Sequence, residues 1–265
     1  MYKKAIQIIQ KNIKNKIIQK KIKNKHSFKS YIKSPCLSYK HTTYFDSYDH
    51  FFCEYRNQTI TFVEIGVLDG GSLFMWRDYF SPNSRIIGVD LNPEAKKMEK
   101  HGFEIFIGSQ SDENFWKSFV KKVGGIDIVL DDGGHSYSQQ IITTECLLEN
   151  INDNGLILIE DTHTSYMSHF GDRQYSFIEY VKHIIDNINM RFGDLPKETA
   201  ENRFWSVEIV ESMVAFKIRR EATKLKSVPI FNKGQSIDQI KSKDYRYEDN
   251  NVTLSTKKYF KKPQI

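Results

Sequence analysis

Between residues 60 and 161, five short apolar runs alternate with segments of helical pattern: "ITFVEIG", "SRIIGVDLN", "FEIFIG", "IDIVLDD" and "LILIEDT". Strand–helix alternation of this kind predicts a parallel sheet with helices on both faces. Helices are expected over Ser72–Tyr79, Asp112–Val123, Gln139–Asn150 and Ser176–Met190. The second is opened by "SDENFW", a Ser/Asp cap followed by early acids. "FWSVEIVESMVAFKIRR" then reads as two strands joined by a tight turn, an antiparallel hairpin closing the sheet edge. The expected fold is α/β and Rossmann-like, mostly parallel, with a C-terminal antiparallel hairpin.

Open sheets of this kind bind ligands beyond the carboxyl ends of their strands. Here every strand ends in polar residues: "VEIGVLDGGS", Asp90, "GSQSD", "DDGGH" and "EDTHTS" in turn. Glu64, Gly66 and Gly70 form E-x-G-x-x-x-G, a tight strand-to-helix turn in which glycines let the backbone approach a ligand. It differs from the dinucleotide pattern G-x-G-x-x-G, because position 68 is leucine. Asp90 lies 24 residues beyond Gly66, where an acidic side chain can accept both ribose hydroxyls. Glu64 disfavours a pyrophosphate and suits a cationic ligand such as a sulfonium amino acid. A nucleoside site follows, with Ser72 of the turn and Gln110 and Asp112 of "GSQSD" completing the expected cofactor contacts.

The net charge of +6 raises the question of nucleic acid. Residues 1–33 contain eleven lysines and no acid, which leaves 28 basic against 33 acidic residues elsewhere. The body of the chain is therefore acidic, and nucleic acid is not the expected partner. No window approaches the roughly 18 to 20 uninterrupted apolar residues of a membrane span. Three cysteines without close spacing, and no apolar signal core, fit a reducing cytoplasm.

Three segments result. Residues 1–33 form a basic amphipathic helix, with Tyr2, Ile6, Ile9, Ile13 and Ile17 at helical spacing. Its face suits either an anionic membrane surface, a peripheral contact, or packing on its own domain or dimer mate. Residues 34–220 carry the strand–helix alternation and form one domain, and residues 221–265 a polar basic arm. Tails of this kind often wrap a neighbouring subunit, which points to a homo-oligomer.

At this point the chain resembles the class I S-adenosylmethionine-dependent methyltransferases. More narrowly it is similar to the metal-dependent sugar O-methyltransferases of the macrocin and mycinamicin type. The resemblance runs from about Thr61 to Ile218 and rests on "VEIGVLDGGS", "GVDLN", "GSQSD", "LDDGGH" and "LILIEDTHTSY". Ser109 stands where family members commonly have Asp, and Gly134 where they commonly have Ser. The resemblance implies a class I methyltransferase fold and S-adenosylmethionine as donor.

If the fourth and fifth strands are neighbours, Asp132, Glu160 and Asp161 converge. Clustered carboxylates raise one another's pKa, and a divalent cation resolves the conflict. All-oxygen ligands select a hard ion, Mg²⁺ or Mn²⁺. His135, three residues after Asp132, stands where a general base is needed, and the resemblance implies the same role. Asp131 either holds the donor's amino group or orients its loop. His163, Thr164, Tyr166 and His169 are candidates for an acceptor pocket.

The expected activity is methylation of a sugar hydroxyl on a small-molecule or nucleotide-linked sugar. A Lys-, Ile- and Asn-rich chain matches a surface-polysaccharide precursor, of capsule or lipopolysaccharide, better than a macrolide. A catechol-type O-methyltransferase, an N-methyltransferase and a non-catalytic S-adenosylmethionine-binding module stay open as alternatives.

Overall fold

A computed structural model describes residues 21–191, 203–225, 228, 230 and 232–234. The chain divides into two units, residues 1–225 and 226–265. Most of the basic helix expected over 1–33, and nearly all of the arm after residue 225, lie outside the described residues.

Among the described residues, seven strands form one sheet: β1 Thr61–Ile65, β2 Arg85–Asp90, β3 Glu104–Ile107, β4 Ile126–Asp131, β5 Ile151–Ile159, β6 Ser206–Val210 and β7 Met213–Lys217. Their order is β3-β2-β1-β4-β5-β7-β6. The first five strands pair in parallel, and β7 pairs antiparallel with both β5 and β6. All five expected parallel strands and the terminal hairpin are present. The order reverses at β1, so the crevice between β1 and β4 is the topological switch point.

The helices are α1 His26–Lys33, α2 Tyr44–Phe52, α3 Gly71–Tyr79, α4 Glu113–Val123, α5 Tyr137–Leu148, α6 Phe177–Met190 and the short α7 Arg220–Lys224. The helices expected near 72, 112, 139 and 176 appear as α3 to α6. Asp112 caps α4, as "SDENFW" predicts, and Ser136 caps α5 in a capping box with Gln139.

Side chains alternate across the sheet, and this parity divides the core. Phe62, Leu130 and Leu158 face one layer with Trp76, Tyr48 and Phe52. Val63, Val129 and Ile157 face the other, with Trp116, Phe119 and Phe177. The first layer is completed by α1 and α2, which the strand–helix pattern does not announce. Asp49 of α2 accepts from the His26 and Ser27 amides at 2.7 and 2.9 Å and so caps α1. Ser30 Oγ and Lys33 Nζ of α1 both donate to Asp78 of α3 at 2.8 Å. The described part of the N-terminal segment thus packs on its own domain. Among the described residues, no helix is long and apolar enough to cross a membrane.

Candidate active site

The β1 turn is held by its neighbours. Gly66 has φ +90°, and a Cβ there would stand 2.2 Å from the Asp132 carbonyl oxygen. Only glycine lets the end of β1 pass so close to the end of β4. Beyond it, the Val67 and Leu68 amides donate to Asp90 Oδ2 at 2.7 and 3.2 Å, and the Asn92 amide donates to Oδ1 at 2.7 Å. Asp90 therefore shapes the turn as well as facing the pocket.

The end of β3 meets the end of β4 through Gln110. Its Nε2 donates to both Asp131 oxygens, at 2.7 and 2.6 Å, and its Oε1 accepts from the Gly134 amide at 3.0 Å. Burial pushes the Asp131 carboxyl up to about 7, against the opposing pull of the Gly133 amide and Gln110. Asp131 has the parity of Val129 and points to the α4–α5 side of the sheet.

Asp132 and Glu160 have the opposite parity, that of Leu130 and Leu158, and so does Glu64, that of Phe62. All three carboxylates fall on the face covered by α2 and by the segment before it. Residues 34–41 run across the α3 N-terminus as a strap. Ser34 Oγ donates to the Gly71 carbonyl at 2.8 Å, and the Gly71 amide donates to the Leu37 carbonyl at 3.2 Å. A Cβ on Gly71 would meet the Leu37 and Cys36 carbonyl oxygens at 2.4 and 2.5 Å. Held in this way, the strap delivers Lys40, whose side chain is 2% exposed, to Asp132 Oδ2 at 2.7 Å, Glu160 Oε2 at 3.3 Å and Glu64 Oε1 at 3.6 Å. Tyr48 of α2 donates to Glu160 Oε1 at 2.5 Å. Tyr44 donates to Asp161 Oδ1 and accepts from Ser212 Oγ.

These partners set the local electrostatics. Burial pushes the Glu160 carboxyl well above the ordinary carboxylate range; Lys40 opposes this and Asp132 adds to it. Burial works against the charge on Lys40, yet Asp132, Glu160 and Glu64 together hold its pKa above that of an ordinary lysine. Buried charges are sustained only by such pairing.

Asp132, His135 and Asp161 each offer a ligand atom, all within 4.8 Å of one another. His135 Nε2 is 3.4 Å from Asp161 Oδ2. The three close on a cavity of about 680 Å³ that also reaches Gly66, Leu68, Asp90, Leu91, Ser109, Gln110 and Glu160. Leu68, His135 and Asp161 have φ of 48°, 57° and 54°. Left-handed backbone on residues other than glycine concentrates at functional sites.

Not every expected residue faces this cavity. Glu64 is fully buried beneath the turn, where its oxygens accept from Ser72 Oγ at 2.7 Å and Trp76 Nε1 at 3.1 Å. Parity turns Glu64 onto the α3 face, where it and Ser72 brace the turn, and neither residue lines the cavity. The missing Cβ of Gly70, φ +79°, faces Met98. Asp112 caps α4, and Asp131 touches the cavity through Gln110 and the Gly133 amide. His163 Nδ1 bonds Ser212 Oγ and lies 3.8 Å from Asp161 Oδ1. Thr164 Oγ1 donates to the His135 carbonyl at 3.0 Å. Tyr166 stacks under Arg173, and His169 packs on Phe170. Sequence reasoning missed Tyr39, Lys40, His41 and Tyr44, which line the cavity, and Tyr48 behind it.

A doubly wound sheet with an antiparallel seventh strand, and a cavity at the carboxyl ends of its parallel strands, is the arrangement of the class I methyltransferase fold. Residues 63–162 match the family described as a methyltransferase domain. Among curated proteins, the chain is 30% identical over 158 residues to 8-demethyl-8-alpha-L-rhamnosyl tetracenomycin-C 2'-O-methyltransferase of Streptomyces olivaceus, covering 56% of this chain and 41% of that protein. It is 34% identical over 131 residues to mycinamicin VI 2''-O-methyltransferase of Micromonospora griseorubida, covering 47% and 32%. A solved structure of MycE methyltransferase from the mycinamycin biosynthetic pathway, in complex with Mg and SAH, aligns with a TM-score of 0.65 at 25% identity. That alignment covers 74% of this chain and 54% of MycE. The chain thus spans about two fifths of the first curated relatives it matches.

Proposed function

We propose that this domain transfers the methyl group of S-adenosylmethionine to a sugar hydroxyl, with a hard divalent cation, Mg²⁺ or Mn²⁺, at the strand ends. The observation that carries the reading is the meeting of Asp132, His135 and Asp161 within 4.8 Å, at one wall of a cavity that also reaches Gly66 and Asp90. The oxygen-rich donor set suits a hard cation. The Gly66 turn with Asp90 suits a nucleoside. The Mg and SAH bound by MycE support both assignments.

When bound, the donor presents an electrophilic methyl group and the cation makes a nearby hydroxyl more acidic. The chain's own residues do the rest. Asp90 and Gln110 orient the nucleoside at the β2 and β3 ends. Asp132, Glu160 and Asp161 would hold the cation at the β4 and β5 ends. His135 Nε2 accepts the hydroxyl proton as that oxygen forms its bond to the methyl carbon and the carbon–sulfur bond breaks. Asp161, 3.4 Å away, steadies the imidazolium that results. The strap carrying Tyr39, Lys40 and His41 forms one wall of the cavity.

The tetracenomycin relatives are named for 2'- and 3'-O-methylation of a rhamnosyl tetracenomycin, and the mycinamicin relative for 2''-O-methylation. The narrower expectation of a polysaccharide precursor draws no support from those names, and the acceptor class proposed is a sugar hydroxyl. The test is methyl transfer from labelled S-adenosylmethionine to a panel of rhamnosyl glycosides, nucleotide-linked deoxysugars, a catechol and an amine, in Mg²⁺ and in EDTA. Sugar methylation that disappears in EDTA is the expected result. Methylation of the catechol alone, or undiminished turnover in EDTA, would contradict the assignment.

A further inference from the structure

Lys40 has no part in the chemistry just described, yet it is the most completely enclosed cation of the site. Its side chain is 2% exposed, and its ammonium touches Asp132, Glu160 and Glu64. Two of these are carboxylates assigned above to the cation. We propose that Lys40 is an internal competitor for the metal: it holds Asp132 and Glu160 until a divalent ion displaces it toward Glu64, and so sets the concentration at which the ion enters. The inference rests on the metal-dependent reading of the site.

The hydrogen bonds make the competition specific. Glu160 has one oxygen taken by Tyr48 at 2.5 Å and the other by Lys40 at 3.3 Å. Asp132 Oδ2 is taken by Lys40 at 2.7 Å. An ion that bonds Glu160 and Asp132 must place its charge beside the ammonium, and like charges so close in a poorly hydrated site repel strongly. The strap backbone is pinned at Ser34, Leu37 and Ser38 by Gly71 and Tyr31. With the strap held there, Glu64 is the carboxylate that remains within reach of a displaced ammonium, already 3.6 Å away. Glu64 needs a cation there, because it is fully buried with only Ser72 and Trp76 as neutral donors.

The contrasting account makes Lys40 a fold-stabilising ion pair, with metal bound at Asp132, His135 and Asp161 without disturbing it. Mn²⁺ titration of the full-length protein in the presence of SAH, by calorimetry and by electron paramagnetic resonance of free Mn²⁺, separates the two. Lys40→Met should bind Mn²⁺ at least about tenfold more tightly than wild type, whereas Lys40→Arg, which keeps the charge, should stay within about threefold. Lys40→Met should also melt lower in EDTA and recover on adding Mn²⁺. The pair Lys40→Met/Glu64→Gln restores the formal charge of the cluster and guards against misfolding. It should still bind Mn²⁺ more tightly than wild type, since the ammonium and not the net charge is the obstacle. Wild-type or weaker Mn²⁺ affinity in both Lys40→Met variants would overturn the inference and leave the metal site standing. Absence of Mn²⁺ binding in every protein, with SAH still bound, would overturn the metal reading and this inference together.

Discussion

His135 Nε2 stands 3.4 Å from Asp161 Oδ2, although the two residues follow different strands and both have left-handed backbone, φ 57° and 54°. Each such conformation costs a non-glycine residue about 1–3 kcal/mol, so the fold holds this pair against a local preference. His135→Ala should lower the methyl-transfer rate by at least about 100-fold, the ordinary worth of a general base, while SAH affinity changes little. Steady-state kinetics beside calorimetry would check this. A variant that keeps its rate would remove His135 from the chemistry.

Asp90 carries two tasks. Its oxygens accept three backbone amides of the turns after β1 and β2. Asp90→Ala should therefore weaken SAH binding and also destabilise the apoprotein by about 1–2 kcal/mol, because three turn amides exchange a charged acceptor for water. Urea unfolding without ligand isolates the second effect. Unchanged stability would mean that the turn holds its shape without the carboxylate.

Gly71→Ala has a sign that depends on the strap. In an ordinary helix the change stabilises by up to about 1 kcal/mol. Here the added carbon would meet the Leu37 and Cys36 carbonyl oxygens at 2.4 and 2.5 Å. Backbone must shift, so destabilisation and faster proteolysis between residues 34 and 41 are expected. A stabilised variant would show that the strap is not seated on α3.

Much of this molecule was legible in its sequence. Five apolar runs announce β1 to β5, and their polar ends announce the rim of the cavity, because a parallel sheet gathers its strand ends on one side. Strand parity, had it been followed one residue further, would have placed Glu64 with Asp132 and Glu160 on one face and Asp131 on the other. Lys40, Tyr44 and Tyr48 could not be read in this way. They lie before β1 in a stretch whose partners are about 90 to 120 residues away, and only the packing of α1 and α2 onto α3 brings them to the site. The buried carboxylates were visible; the cation that answers them was a tertiary fact.

The Asp131 carboxyl is up to about 7 in the folded protein, above the roughly 3.9 of an exposed aspartate. A raised carboxyl pKa means that the folded state binds the proton more tightly than the unfolded state. Stability from this group is complete below the unfolded value and is lost as pH rises from about 4 through 7. Asp131→Asn removes that slope. Its melting temperature, measured from pH 4 to 8 in EDTA, should gain on wild type as pH rises, whatever constant offset the lost Gln110 contact introduces. Parallel curves would contradict the assignment.

The central claim is that the strand-end cavity is a methyl-donor site. Calorimetric titration of wild-type protein with S-adenosylmethionine, SAH and NAD⁺, each in Mg²⁺ and in EDTA and repeated on Asp90→Ala, tests it most directly. The account predicts binding of S-adenosylmethionine and SAH, weakened about tenfold or more in Asp90→Ala, and none of NAD⁺. Failure of S-adenosylmethionine and SAH to bind in either condition would contradict it.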